Sequence, residues 1–390
     1  MKILVSVSKL DIYFFLIAIF AVIGLNPYYI WGTLQLFYTI SLALLILSSF
    51  YFKVIFSNRK FSLSPIIFIL VFYFSFSNGA SVLGATGISA GIAFIFSIKN
   101  NYLVSIFYRF KQIYAFILIP GLILWVLHQF LGNDFLYLGK FDESAIPNQL
   151  KVDAGQGYAL YPFTVVLDYM LYQPIYRFMG PFDEPGVVGT ISAIVLAANK
   201  FKLKNKSDFI VLFSGVASLS LAFYLMSFIY LLFKSISNFK YFFSLFLIVP
   251  SIIGLASINE SFRRYTFERL IIQDDGKISG NNRGDLALDI AYSKWTNGDI
   301  YDFLFGISDY VSSGASSGKV IFIKTGFFGF LVFLSVFLIS FLVSYDKSNK
   351  NLDFYIFLLV FFASIYQRPE VLTPVFIMLF LSGIVNSKNI

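Results

Sequence analysis

The chain has 390 residues, of which 58% are hydrophobic and only 13% charged, with a mean hydropathy of +0.78. A soluble domain carries about a quarter charged residues, so the composition excludes a soluble enzyme and implies a polytopic membrane protein. The net charge of +8 does not point to nucleic acid, because much of it falls in short loops, and the absence of cysteine excludes disulfides and thiolate metal sites.

A span needs about 20 apolar residues. The N-terminus carries Lys2 and Lys9 ahead of an apolar run from Ile12, like a signal peptide. No small-residue cleavage site ends that run, so it is predicted to stay as the first span. Spans are expected near 12–31, 33–52, 63–78, 80–98 and 112–131. Lys53, Arg59 and Lys60 form one basic link and Lys99, Arg109 and Lys111 the next, which places both links and the N-terminus in the cytoplasm. The fourth segment, with Gly84, Gly87 and Gly91, is expected to pack closely against neighbours rather than face lipid.

Residues 132–185 are predicted to be a first large non-cytoplasmic loop. Its Tyr158, Tyr161, Pro162, Phe163, Tyr169, Tyr172 and Tyr176 suggest segments lying at the interface. A short span follows near 186–199 and ends in Lys200, Lys202, Lys204 and Lys206, the clearest cytoplasmic signal in the chain. Residues 209–233 have the length of one span. Lys234 and Lys240 in the next link nevertheless read as cytoplasmic, which calls for two. Ser214, Gly215, Ser218 and Ser220 could break the run into a hairpin of two short helices, and that reading is favoured. A span at 241–257 then leads to a second large loop, 258–318, on the same outer face. Spans at 320–344, 353–366 and 371–386 complete the chain, with Lys347 and Lys350 cytoplasmic and Gln367-Arg368-Pro369-Glu370 a tight outer turn. The expectation is an all-α polytopic protein of about twelve transmembrane helices, eleven being the alternative, with residues 1–390 forming one integral membrane domain.

The densest cluster of charge, glycine and proline is Arg177-Phe178-Met179-Gly180-Pro181-Phe182-Asp183-Glu184-Pro185-Gly186-Val187-Val188-Gly189-Thr190, at a membrane boundary where charge is expensive to keep. Arg177, Asp183 and Glu184 form one candidate outer-face group. Arg263, Arg264, Glu268, Arg269, Asp274, Asp275, Arg283, Asp285 and Asp289 form a second, and Arg368 with Glu370 a third. Arginine forks bind phosphate oxygens bidentately, and a carboxylate beside them could take a proton from an attacking hydroxyl. Plainer readings stand beside each group. Asp183 and Glu184 could merely complement a helix dipole. The arginines at 263, 264 and 269 could be solvated charges or headgroup anchors, Arg283 could sit in an ordinary Asn/Gly turn, and Arg368 could close its turn by a local ion pair. His128, the single histidine, reads as a hydrogen-bonded interfacial residue. Asp274-Asp275 is too weak for a cation site, and no glycine-rich nucleotide loop is present.

The pattern Arg177-Phe178-x-Gly180-x-Phe182-x-Glu184-Pro185-Gly186-x-x-Gly189 resembles the signature of the O-antigen and capsular polysaccharide polymerases (Wzy), in the polymerase–ligase superfamily. Ser218-Leu219-Ser220-Leu221-Ala222, Asn282-Arg283, Phe305-Gly306 and Gly326 to Gly329 resemble later features of the same proteins, so the likeness covers about residues 155–330. The resemblance implies a multi-span fold like that of the lipid-carrier-dependent glycosyltransferases (GT-C-like). It also implies a bacterial inner-membrane location with both termini cytoplasmic and the site on the periplasmic side. The substrates would be undecaprenyl-pyrophosphate-linked glycans, with no cofactor and no metal, and the partners a chain-length regulator, a flippase and membrane lipid. It implies Arg177 and Arg283 for the pyrophosphates, with Arg269 and Arg368 behind them. Glu184 is the first candidate base and Asp183 the second. Arg264, Asp285 and Glu370 complete the candidate substrate-binding set.

Two rivals are weighed. An O-antigen ligase typically carries a histidine in the second large loop, and residues 258–318 contain none. A flippase for the same lipid-linked units would carry charge within its spans, which here are nearly free of it.

Overall fold

The computed structural model describes residues 9–52, 55–146, 155, 157–173, 175–243, 254, 257, 260–265, 267–268, 271, 286–307, 318–345, 352–368 and 371–386. Helix α1 (Lys9–Ile23) stops earlier than the predicted span 12–31, because Gly24, Asn26 with φ +55 and Pro27 turn the chain. A single 3₁₀ turn over Tyr28–Ile30 follows, and Trp31 is buried behind it. Helices α2 (Leu34–Ser49), α3 (Asn58–Ser77) and α4 (Val82–Ser97) come next, and the Ser81 hydroxyl caps α4 by accepting from the Gly84 N–H at 3.1 Å. A Cβ on Gly91 of α4 would lie 2.7 Å from Tyr38 Oη, 2.8 Å from Pro374 and 3.0 Å from Phe20. That close approach is the role expected of the fourth segment's small residues.

Helix α5 (Asn100–Leu131) runs for 32 residues. At 1.5 Å per residue it is about 48 Å long and exceeds the hydrocarbon core. The predicted span 112–131 is only its second half, and the basic segment before it is helix rather than link. Beyond α5 the chain forms an antiparallel sheet of β1 (Gly139–Lys140), β2 (Tyr158–Tyr161) and β3 (Thr164–Leu167), in that order, with Tyr161 opposite Thr164 across a two-residue turn. This small sheet is an addition to a chain that is otherwise mostly helical, as expected, and it gives the first loop a packed structure that the sequence did not indicate. Tyr158, Tyr161 and Tyr176 are buried with Trp31, Val165 and Met170 in a core of their own, while Tyr169 and Tyr172 remain exposed.

Helix α6 (Pro185–Ala198) is buried on nearly every face. The run at 209–233 is two helices, α7 (Lys206–Ala217) and α8 (Leu221–Ser235), broken at Ser218-Leu219-Ser220 with Leu219 at φ +45. Each packs on α6, and the tip between them lies at the Glu184 end of α6, where Gly189 meets Ser218 and Ser220. The predicted span 241–257 lies largely outside the described residues. Short helices α9 (Glu260–Tyr265), α10 (Leu286–Asn297) and α11 (Ile300–Phe305) precede α12 (Lys319–Ser344). Leu288, Trp295, Ile307 and Ile323 form a small core there. Gly326, at φ +63, kinks α12 where the backbone of Leu304 and Phe305 presses against it. Helix α13 (Leu352–Gln367) and helix α14 (Pro374–Asn386) end the fold, and all 13 residues of α14 are buried.

Among the described residues, α3, α5 and α12 are long and apolar enough to cross a membrane. Large apolar side chains such as Phe116, Leu47 and Ile69 point outward from the helices, as lipid-facing residues do.

Candidate functional site

The site is built on residues 176–189, and each fixed position in that stretch has a structural reason. Phe178 and Phe182 are fully buried in the main core, and the Phe178 N–H donates to the Ala217 carbonyl at 3.0 Å. Gly180 adopts φ +57, and a Cβ there would meet Leu118 at 2.8 Å. Its carbonyl accepts from the Thr164 hydroxyl at 2.7 Å and from the Val165 N–H at 3.2 Å. The Pro181 carbonyl accepts from Tyr28 N–H at 2.7 Å, the Asp183 carbonyl from the Tyr158 hydroxyl at 3.1 Å, and the Tyr176 carbonyl from the Trp125 indole at 2.8 Å. The turn is thus pinned from α5, the sheet, the hairpin tip and the segment after α1. Pro185 opens α6, where a missing N–H costs nothing.

Glu184 is the N-cap residue of α6, but its side chain makes no cap bond to the helix. Its Oε2 instead accepts from Arg368 Nη2 at 3.0 Å, across 184 positions of sequence. The guanidinium lies against the first turn of α6, so a Cβ on Gly186 would sit 3.1 Å from Nη2. Arg368 Nε is buried and has no acceptor among the described residues. Arg368 is thus the partner of the first candidate base.

Arg177 is half-buried, donates from Nε to the Ser218 carbonyl at 3.3 Å, and has its guanidinium 5.6 Å from the Tyr265 ring centre. Burial pushes the Tyr265 phenol up, against the pull of the Arg177 and Arg264 cations. Arg264 is exposed on α9, and Arg263 pairs with Glu268 at 3.1 Å. The structure brings together Arg177, the hairpin tip and Tyr265, and separately Glu184 and Arg368. Asp183 lies between the two groups in sequence. Arg269, Arg283, Asp285, Glu370, Asp274 and Asp275 lie outside the described residues. Sequence reasoning did not foresee the Glu184–Arg368 pair or Tyr265. The one signal for the pair was a charge of each sign in apolar surroundings at two chain-distant turns expected on one face.

His128 is buried with both ring nitrogens engaged. Nε2 lies 2.9 Å from the Phe135 carbonyl, which can only accept, so Nε2 carries the proton and Nδ1 accepts from the Tyr176 hydroxyl at 2.9 Å. The ring ties α5 to the sheet core, the hydrogen-bonded role expected of it. An apolar recess lined by Trp125, Ile175, Phe213, Val216, Ala217 and Leu219 opens beside the hairpin tip. Among the described residues no three His, Asp or Glu side chains are placed to hold a metal ion.

The chain matches no protein-family model, no curated protein and no solved structure.

Proposed function

We propose that the chain is a polysaccharide polymerase that joins lipid-pyrophosphate-linked oligosaccharide units into O-antigen or capsular polymer. In this reading it has about twelve spans, a GT-C-like architecture, an inner-membrane location and a site on the periplasmic side. The observation that carries the reading is the Glu184–Arg368 pair seated over Gly186. It gives Glu184, Pro185 and Gly186 of the polymerase-like signature one shared physical purpose: holding a carboxylate and a cation at the mouth of a buried helix. Arg177 at the hairpin tip is the second cation of the set.

The chemistry follows from these groups. A sugar hydroxyl of the incoming unit attacks the anomeric carbon of the growing chain. The bond from that carbon to the pyrophosphate oxygen breaks, and the lipid pyrophosphate leaves. Glu184, or Asp183 beside it, takes the hydroxyl proton, and Arg177, with Arg283, Arg269 and Arg368, stabilises the charge that develops on the leaving group. Arg264, Asp285 and Glu370 would line the substrate. The apolar recess at Leu219 suits the carrier's hydrocarbon chain.

The test is a gel of surface polysaccharide from a strain lacking the protein, complemented with wild type, Arg177→Ala or Glu184→Gln. Core lipid with a single unit in the deletion strain, and a ladder restored only by wild type, is the expected result. Accumulation of lipid-linked polymer with bare core would make it a ligase. An unchanged ladder would overturn the reading.

A further inference from the structure

The unit of α10 and α11 is held rigidly against α12, and its outward face is apolar. The Trp295 ring stacks on Phe303 at 5.1 Å, and its indole N–H donates to the Phe303 carbonyl at 3.2 Å. The Ile307 N–H donates to the Ile323 carbonyl at 2.7 Å, beside the close contact of Gly326 with Leu304 and Phe305. Asp299 caps α11 by accepting from the Asp302 N–H at 2.8 Å. With that small core closed, Ile300, Tyr301 and Phe305 are left outside it, at 72%, 66% and 45% exposure. Tyr301 and Phe305 are one helical turn apart with ring centres 5.1 Å from each other, so they share a face of the short helix.

The height of that face follows from the helices it touches. The Phe305 ring centre is 6.1 Å from that of Phe328 on α12, and Phe328 is 5.5 Å from Tyr73 on α3. Phe328 and, one turn beyond Tyr73, Phe76 both point outward, among the lipid-facing side chains of these two helices. The far ends of α3 and α12 are tied at one level. Lys60 donates to Asn100 Oδ1 at 2.6 Å, and the Asn100 amide donates to the Ser344 carbonyl at 3.1 Å. Arg59, exposed beside Lys60, keeps that end in water. From Ser344 back to Phe328 is about 24 Å of unbroken helix, and from Lys60 to Tyr73 about 20 Å, at 1.5 Å per residue. A hydrocarbon core is about 30 Å thick, so the ring contacts of Phe305 fall just inside its opposite boundary. The part of α12 before the Gly326 kink rises beyond that level, and there Lys319 pairs with Asp289 of α10 at 2.8 Å.

We propose that α11 is an interfacial anchor, with its Ile300, Tyr301 and Phe305 face buried in lipid at the boundary between headgroups and acyl chains. The occupant is the bilayer rather than a second protein, because the face is continuous, ring to ring, with the lipid-facing surface of α12 and α3. It also lies at the level where amphipathic aromatic rings concentrate. Trp295 and Phe303 stay in the protein core, and the exposed Asp299 reaches the headgroup layer. An anchored α11 holds the second large loop down on the membrane surface. The inference rests on α3 and α12 crossing the membrane, and not on the polymerase reading.

The chain has no cysteine, so single cysteines in the full protein can be labelled with a small fluorophore without background. Ile300→Cys and Tyr301→Cys replace exposed side chains and report the anchor. Lys140→Cys, 74% exposed on the sheet, reports water, and Ile69→Cys, outward-facing near the middle of α3, reports the bilayer interior. Each is placed in phosphatidylcholine nanodiscs and quenched by iodide in the water or by phosphatidylcholine spin-labelled at a shallow or a deep acyl carbon. The labels at 300 and 301 are expected about 5–10 Å into the boundary layer, quenched more by the shallow than by the deep spin label, with Ile69→Cys showing the reverse order. Iodide should quench Lys140→Cys and spare both anchor labels. Anchor labels that iodide quenches as strongly as Lys140→Cys, with no response to either spin label, would overturn the anchor. Anchor labels shielded from iodide and from both spin labels would put a protein surface, such as a second copy of the chain, over the face and overturn the lipid assignment.

Discussion

Replacing Arg368 with Met, Glu184 with Gln, and both together isolates the contact that ties the C-terminal turn to the α6 mouth. The pair is a single charge-assisted hydrogen bond of 3.0 Å, with Arg368 20% and Glu184 37% exposed. Fully exposed pairs couple by about 0.2–1 kcal/mol and hydrogen bonds to charged groups contribute about 1.5–3 kcal/mol, so a half-screened pair should couple by about 1 kcal/mol. The single substitutions should be unequal. Glu184→Gln leaves the guanidinium without its carboxylate, on top of a buried Nε that already lacks an acceptor among the described residues. Arg368→Met removes the cation together with that orphaned donor. Glu184→Gln should therefore destabilise more, by about 1–2 kcal/mol, and Arg368→Met by less than 1 kcal/mol. The assay is unfolding of the purified protein in detergent for all four members of the cycle. A coupling below about 0.3 kcal/mol, or the reverse order of the two single variants, would refute the argument.

Three further outcomes follow from the packing. Gly189→Ala puts a Cβ 2.4 Å from Ser220 Cβ and 3.0 Å from Ser218 Oγ, so it should destabilise by about 1–3 kcal/mol in thermal unfolding. Ser220→Gly in the same chain should restore part of the loss, because it removes the nearest clashing atoms. Lys111→Met leaves the Asp208 carboxylate buried without its cation and should cost about 3–5 kcal/mol, read by the same melt, with Lys111→Met/Asp208→Asn less damaging than Lys111→Met alone. Gly326→Ala meets both a left-handed φ of +63 and the Leu304 carbonyl at 2.3 Å, so the α10–α11 unit should detach from α12 and limited proteolysis should cut faster between 298 and 307.

Charge and small residues alone indicated much of the helical layout. Lysines on both sides of 209–233 required an even number of crossings, and Ser218 and Ser220 marked the break that the structure places at Leu219. Gly84, Gly87 and Gly91 marked a helix meant for close contact, and Gly91 makes it. Glycine and proline between 180 and 189 located the site, because only those residues tolerate its backbone angles and its close approaches. Hydropathy misjudged the elements whose stability comes from specific tertiary contacts. The first half of α5 carries Arg109 and Lys111 yet is helical: both are good helix formers, and Lys111 is held inside the bundle by its ion pair with Asp208, which hydropathy could not foresee. The tyrosines of the first loop looked interfacial because composition does not say whether a ring faces a headgroup or a neighbouring strand. Only the packing of the β2–β3 pair over Trp31 buried Tyr158, Tyr161 and Tyr176, while Tyr169 and Tyr172 stay exposed. The Glu184–Arg368 pair was decided by tertiary structure alone. Its two charges are 184 residues apart, and only the packing of α13 against α6 brings Arg368, just past the end of α13, within 3.0 Å of Glu184.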